Sequence, residues 1–235
     1  MITHHNLLYN SEMIYEAMAH SDNSSFVSWL PLFHDMGLIG GILQPLYGGF
    51  TCTLIPPNVW SQKPLCWLKA ISRFKATTSG GPNFAYNILA RTTSKADVRQ
   101  LDLSQWSVAF NGSETVRAST IEQFSKTFES AGFRRKAFYP CYGMAEATLF
   151  VAGITKETEP VMRRLNTKAL KQHRAIVDDD DPYASPVVSC GQIREPDRVF
   201  IVDPDAGPGI QTHPLPNNHV GEVWIKSPSV AVGYW

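Results

Sequence analysis

Apolar residues along this chain fall in short runs that do not alternate with polar ones, and each run ends in a turn rich in Gly, Ser, Asn or Asp. Four times a stretch suited to a helix follows. The run at 26–30 leads into Phe33-His34-Asp35-Met36-Gly37 and an apolar segment at 38–46. The run at 76–78 leads into Ser79-Gly80-Gly81-Pro82 and a predicted helix at 83–91. The run at 108–110 leads into Asn111-Gly112-Ser113-Glu114 and a helix at 118–131, and the run at 137–139 into Pro140-Cys141-Tyr142-Gly143 and a helix from Met144. A further strand is predicted at 52–55, ending at Pro56-Pro57. The helix expected at 61–74 buries Trp67, Leu68 and Ile71.

Strands that are apolar on both faces and separated by helices predict an α/β fold, with a mostly parallel sheet covered by helices. In such sheets ligands collect at the carboxyl ends of the strands, where these turns converge. Beyond residue 153 the pattern changes. Residues 155–185 are polar and include Asp178-Asp179-Asp180-Asp181, which predicts a long, partly mobile loop or insertion. Strands at 199–202 and 221–225, joined by a loop rich in Pro, Gly and Asn, predict the start of a small β-barrel-like subdomain. The organisation expected is therefore 1–154, 155–185 and 186–235.

Charge narrows the function classes. The 235 residues carry 21 basic and 21 acidic side chains, and the clusters Arg134-Arg135-Lys136 and Arg163-Arg164 are short, so no nucleic-acid partner is expected. The most apolar stretch, 36–47, is too short for a membrane span, and the polar start of the chain does not read as a signal peptide. Cysteines 52, 66, 141 and 190 lack metal-site spacing, so reduced thiols and a cytoplasmic location are expected.

The chemistry-bearing residues sit in the turns. Tyr142-Gly143-Met144-Ala145-Glu146 reads as a strand handing over to a helix, where backbone N–H groups can take a phosphate and Glu146 can hold Mg2+ against it. The same residues also read as an ordinary turn with a capping Glu. His34 can orient a carboxylate, or Asp35 can simply cap the next helix. Their adjacency is not expected to make a relay, because neighbouring side chains diverge. The Asn111 and Ser79 turns can wrap a purine or line a channel. Taken together, the four turns point to a nucleotide plus an organic acid.

Tyr142 to Thr148 resembles the Tyr-Gly-x-x-Glu motif of the adenylate-forming superfamily. Leu30-Pro31-Leu32-Phe33-His34-Asp35-Met36-Gly37-Leu38 resembles the acyl-site motif of fatty-acyl-AMP ligases. Asn111-Gly112-Ser113-Glu114, Gly81-Pro82-Asn83-Phe84-Ala85-Tyr86 and the stretch from Gly221 to Trp235 fit the same subfamily. This resemblance implies an AMP-forming acyl ligase that joins a fatty acid to ATP as acyl-adenylate, with Mg2+ and with an acyl carrier protein as a possible acceptor. It implies catalytic roles for His34 and Glu146, with Glu146 the Mg2+ ligand. Nucleotide contacts would come from Asn111, Gly112, Ser113, Glu114, Tyr142, Gly143, Met144, Ala145 and Thr148, and acyl contacts from His34, Asp35, Gly81, Asn83 and Phe84. Residues 156–183 fall where such ligases carry an insertion. The resemblance also places the family's phosphate loop before Met1, its ribose-binding aspartate after Trp235, and its lysine on a further domain. On that basis the chain alone is expected to adenylate poorly and to be poorly soluble. The alternatives are a piece of an acyl-CoA ligase, a loading adenylation domain, or a non-catalytic module that binds nucleotide or acyl-adenylate.

Overall fold

The structure, a computed structural model, describes residues 1–194, 196–204 and 213–235. Helix α1 (His4–Ala17) starts at Thr3, whose hydroxyl accepts the Asn6 N–H while the Asn6 side chain accepts the Thr3 N–H. Strand β1 (Ser25–Ser28) is followed by a π-helical segment, Met36–Leu43, which runs directly into α2 (Gln44–Gly48). Next come β2 (Thr51–Leu54), α3 (Pro57–Gln62), α4 (Leu65–Phe74), β3 (Thr78–Gly81), α5 (Asn83–Thr92), α6 (Lys95–Val98), β4 (Val108–Asn111), α7 (Ala118–Phe128) and β5 (Phe138–Gly143). Strands β6 (Phe150–Gly153) and β9 (Gln192–Ile193) complete a seven-stranded sheet in the order β2-β1-β3-β4-β5-β6-β9. The pairs from β2 to β5 are parallel and the last two antiparallel. The predicted α/β class therefore holds, and every residue of β3 and β4 is buried, as unalternating strands require.

Alternation between Ser28, the last residue of β1, and Trp29 just after it divides the core. Trp29 meets Trp67 of α4, within an aromatic cluster that includes Tyr86, Trp106, Phe124 and Phe138. On the other side, Ser28 touches Gly41 of the π-helical segment, against which α1 also packs. Trp67, Leu68 and Ile71 are buried as predicted. The Ser79 hydroxyl links the layers, accepting the Trp67 indole N–H at 2.7 Å and donating to the Val27 carbonyl at 2.6 Å.

Two predicted turns are strand instead. Ser79, Gly80 and Gly81 belong to β3, and the glycines serve packing rather than a turn. A Cβ on Gly80 would lie 2.1 Å from the Phe110 carbonyl oxygen, and one on Gly81 2.6 Å from the Trp29 ring. Likewise β5 continues through Gly143, and no helix begins at Met144. Residues 145–147 make a single 3-10 turn, Thr148 takes a φ of 70°, and the chain reverses into β6 as a hairpin. Good helix formers at 144–147 disguise this reversal, but tertiary contacts decide it. The buried Asn10 side chain donates to the Phe150 carbonyl at 2.8 Å and accepts the Phe150 N–H at 3.0 Å, fixing β6 against α1.

Residues 155–186 are more ordered than a loop. Strands β7 (Met162–Leu165) and β8 (Ser185–Val188) pair antiparallel around a short helix, α8 (Thr167–Leu170). The acidic run is tied to this unit by hydrogen bonds. Asp179 accepts the Arg164 N–H, Asp178 accepts the Asn166 side-chain amide, and Arg164 donates to the Asp181 carbonyl. Strands β10 (Arg198–Val202) and β11 (Glu222–Lys226) form the expected antiparallel ribbon, while part of the Pro-, Gly- and Asn-rich loop between them lies outside the described residues. The segment after β11 returns to α1, where Asn6 donates to the carbonyls of Pro228 and Val230.

Asn10→Ala leaves the backbone polar groups of Phe150 without their buried partner, so urea denaturation should show a loss of about 2–4 kcal/mol. An unchanged midpoint would show that the clamp carries no stability.

Candidate functional site

The ends of β1, β4 and β5 open onto one cavity of about 310 Å3. Its mouth holds His34 and Asp35 from the turn after β1, Gly112 and Ser113 from the turn after β4, and residues 142–145 at the β5–β6 reversal. Its buried part is apolar, with Ile14 of α1, Met18 at the cap of that helix, Phe26, Met36, Phe110 and Leu149 in the wall. The cavity lies between α1, the π-helical segment and the carboxyl ends of the strands, where ligand sites of such sheets are found.

At the mouth, Asp35 begins the helical segment and its carboxylate accepts the Met36 N–H at 2.6 Å. The His34 Nδ1 lies 2.6 Å from the Asp35 Oδ1. Divergence of neighbouring side chains, expected from sequence, is thus corrected. Asp35 has helical backbone angles within a tight turn that folds both side chains over the same N–H. The Ser113 φ of 68° gives the Gly112-Ser113 turn a left-handed bend at the cavity. Gly143 is needed for a close approach, since a Cβ there would lie 1.9 Å from the Leu149 carbonyl oxygen.

Glu146 stands outside the lining and is exposed. It bonds to the hydroxyl of Tyr234, and this contact holds its carboxyl below the usual carboxylate range. Because the helix expected from Met144 is absent, Glu146 projects from a 3-10 turn and not from the first turn of a helix. Cys141 also lines the cavity, but burial pushes its thiol up to about 12, so it stays protonated and unreactive.

Other residues singled out from the sequence are structural neighbours of the cavity. Thr148 is buried and its hydroxyl donates to the Ser229 carbonyl at 2.6 Å. Asn83 is buried, donating to the Thr120 hydroxyl and accepting the Arg117 N–H, so it ties α5 to the β4–α7 connection. Asn111 is fully buried beside Asn83, and the Glu114 carboxylate accepts the Phe84 N–H at 2.6 Å at the start of α5. Phe84 packs edge-on against Trp29 and Trp60, with Gly81 beneath Trp29. None of Gly81, Asn83 and Phe84 lines the cavity. Sequence reasoning passed over Ile14, Met18 and Gln44. The i,i+4 spacing of Ile14 and Met18 was the signal available for the first two.

Below the cavity, His20 is buried against Phe50, and its ring nitrogens face the Gln44 amide and the Thr78 hydroxyl. Burial first, and then the Lys156 charge, lowers its pKa to about 4.

Comparison with known proteins places this geometry in a class. The sequence profile of the AMP-binding enzyme family matches residues 1–235, and the chain belongs to that family. Among characterised relatives, it is 42% identical over 235 residues to the medium-chain-fatty-acid–[acyl-carrier-protein] ligase TtuA of Teredinibacter turnerae, covering all of this chain and 36% of the relative. It is 36% identical over 240 residues to the long-chain-fatty-acid–AMP ligase FadD32 of Mycolicibacterium smegmatis, covering 37% of that protein. The chain thus spans well under half the length of these relatives. Its fold superposes with a TM-score of 0.94 and 44% identity on 40% of the fatty acyl-adenylate ligase of Legionella pneumophila, solved in complex with acyl adenylate and pyrophosphate. Among the described residues, no helix is long and apolar enough to cross a membrane.

His20 stays neutral in the folded chain while the unfolded chain protonates it near pH 6.5. Stability therefore falls as pH drops from about 6.5 towards 4, by up to about 3 kcal/mol, and this contribution levels off below that. Urea titrations at pH 7 and 4.5 should show a larger fall for the wild type than for His20→Gln; equal falls would remove His20 as the cause.

Proposed function

We propose that this chain forms the acyl-adenylate cavity of an AMP-forming ligase that activates a fatty acid with ATP and passes it to an acyl carrier protein. The observation that carries this reading is the polarity of the cavity at the strand ends: backbone-rich turns and a His-Asp pair at the mouth, apolar side chains in its buried part. An acyl-adenylate has the same two halves. The names of TtuA and FadD32 favour a fatty acid, and TtuA favours a carrier protein as acceptor. Four free cysteines suit a reducing compartment such as the cytoplasm.

In this reading the turns at 112–113 and 142–145 receive the nucleotide, and His34 and Asp35 orient the fatty-acid carboxylate. The apolar wall binds the chain and excludes water, which strengthens the polar contacts at the mouth. In-line attack of the carboxylate oxygen on the α-phosphorus forms the acyl–phosphate bond, and the bond to pyrophosphate breaks. Mg2+ fits as an ion brought in with the phosphates. Among the described residues no three His, Cys, Asp or Glu side chains cluster for a metal, and Glu146 offers one exposed carboxylate of low pKa. When bound, the ion offsets phosphate charge.

Calorimetry with dodecanoyl-sulfamoyl-adenosine, a stable acyl-adenylate analogue, tests the reading. The folded chain should bind it one to one and much more tightly than AMP or dodecanoate alone. Absence of binding by a chain that melts cooperatively would overturn the proposal. Glu146→Gln should leave binding of the analogue intact while abolishing the Mg2+-dependent gain in ATP affinity; a gain that survives would remove Glu146 as the metal ligand.

A further inference from the structure

Strand register measures how far the cavity runs behind its mouth. Gly112 and Ser113, at the mouth, stand just past the carboxyl end of β4. Phe26 pairs with Thr78, and Thr78 with Val108, so the lining residue Phe26 is level with Val108, four places before Gly112. At about 3.3 Å per residue this puts Phe26 about 13 Å behind the mouth. The helical side gives a matching length. The segment runs back from the mouth, and its lining residues extend from Met36 to Gln44, a rise of at most about 12 Å. The inner end is closed by side chains. Met18, at the cap of α1, and Phe26, near the start of β1, both line the cavity and are 7% and 3% exposed. Behind them the buried His20 ring faces the hydroxyl of Thr78, the residue level with Phe26, and packs against Phe50 with ring centroids 4.8 Å apart. On the sheet side, Phe110 lies across Gly80, where a Cβ would come 2.4 Å from its ring, and its ring centroid is 5.9 Å from that of Phe26.

An extended peptide advances about 3.3–3.6 Å over three bonds, about 1.2 Å per bond, and an extended alkyl chain advances by a similar amount. A closed cavity of about 12–13 Å therefore takes a chain of about ten to twelve carbons. We propose that this cavity is a ruler for the acyl chain, with Met18 and Phe26 as the stops that set its length. Up to the stops, each added carbon leaves water for an apolar wall. Beyond them, a further carbon has to displace buried side chains that are backed by His20 and Phe50, and a close-packed interior resists such insertion. Met18 and Phe26 thus determine specificity without touching the reacting atoms. This inference rests on the acyl-adenylate reading and adds the chain-length class of the acyl group.

The test is a series of unbranched acyl-sulfamoyl-adenosines, from butanoyl to octadecanoyl, titrated calorimetrically into the full chain. Affinity should rise about fourfold per added carbon, the scale of one buried methylene, until about decanoyl to dodecanoyl, and then stop rising or fall. A rise that continues to octadecanoyl would overturn the proposal, and so would an affinity that is the same at every length. This arm needs no variant to fold. Met18→Ala and Phe26→Leu each remove three side-chain atoms, so in each the turning point should move out by about two or three carbons. A turning point unmoved in variants that melt cooperatively would show that Met18 and Phe26 are not the stops. If no member of the series binds, the acyl-adenylate reading itself fails, a result distinct from the others.

Discussion

The reversal between β5 and β6 depends on one buried amide. Asn10, in the middle of α1, grips both backbone polar groups of Phe150, and its side-chain N–H also reaches the Ala147 carbonyl. This contact makes the hairpin and α1 a single unit. It decides where Tyr142 and Gly143 stop, where Glu146 projects and how far Leu149 enters the cavity wall. The C-terminal segment adds to it, since Thr148 bonds Ser229 and the Ala231 N–H reaches the Glu146 carbonyl. Mouth, wall and metal candidate are thus set by contacts between residues far apart in sequence.

That distance explains which parts of the site were legible in the sequence. The parallel strands were, because burial on both faces leaves an unalternating pattern that survives in one dimension. Trp67, Leu68 and Ile71 were, because helical spacing is equally local. The hairpin at 143–150 was not, since Met144-Ala145-Glu146-Ala147 favours helix and the opposing constraint comes from Asn10. Gly80 and Gly81 looked like turn residues, but they are demanded by Phe110 and Trp29 from other strands. The acidic run at 178–181 read as part of a long loop, yet its partners Arg164 and Asn166 lie before it in the chain and tie it into a folded unit.

The site residues divide along the same line. His34, Asp35, Gly112, Ser113 and residues 142–145 share the cavity because turns after parallel strands emerge on one edge. Asn83 and Thr148 carry polar groups that a sequence reader assigns to ligands, yet both are buried and spend hydrogen bonds on the scaffold; Asn111 is buried too, its amide N–H donating to Asn83 while its Oδ1 has no partner. Polarity in a turn was a sound guide to location and a poor guide to whether a side chain faces ligand or protein. Only burial and partner geometry separate the two.

The π-helical stretch at Met36–Leu43 has a consequence for how this cavity can change over evolutionary time. Such a helix holds more residues per turn than an α-helix, as though residues had been inserted into one. Gly37 and Gly41 are pressed against the Pro31 carbonyl and the Ser28 side chain, so substitution there is blocked by the neighbouring backbone and strand. A one-residue deletion meets a different constraint. It would rewind the stretch towards α-helical geometry and rotate the downstream helix by about 100° per residue lost. The residues of α2 would then present a different face to the cavity with no change in their identity. Length variation in this segment, more than point substitution, is therefore the route by which descendants of this fold can acquire a new cavity floor.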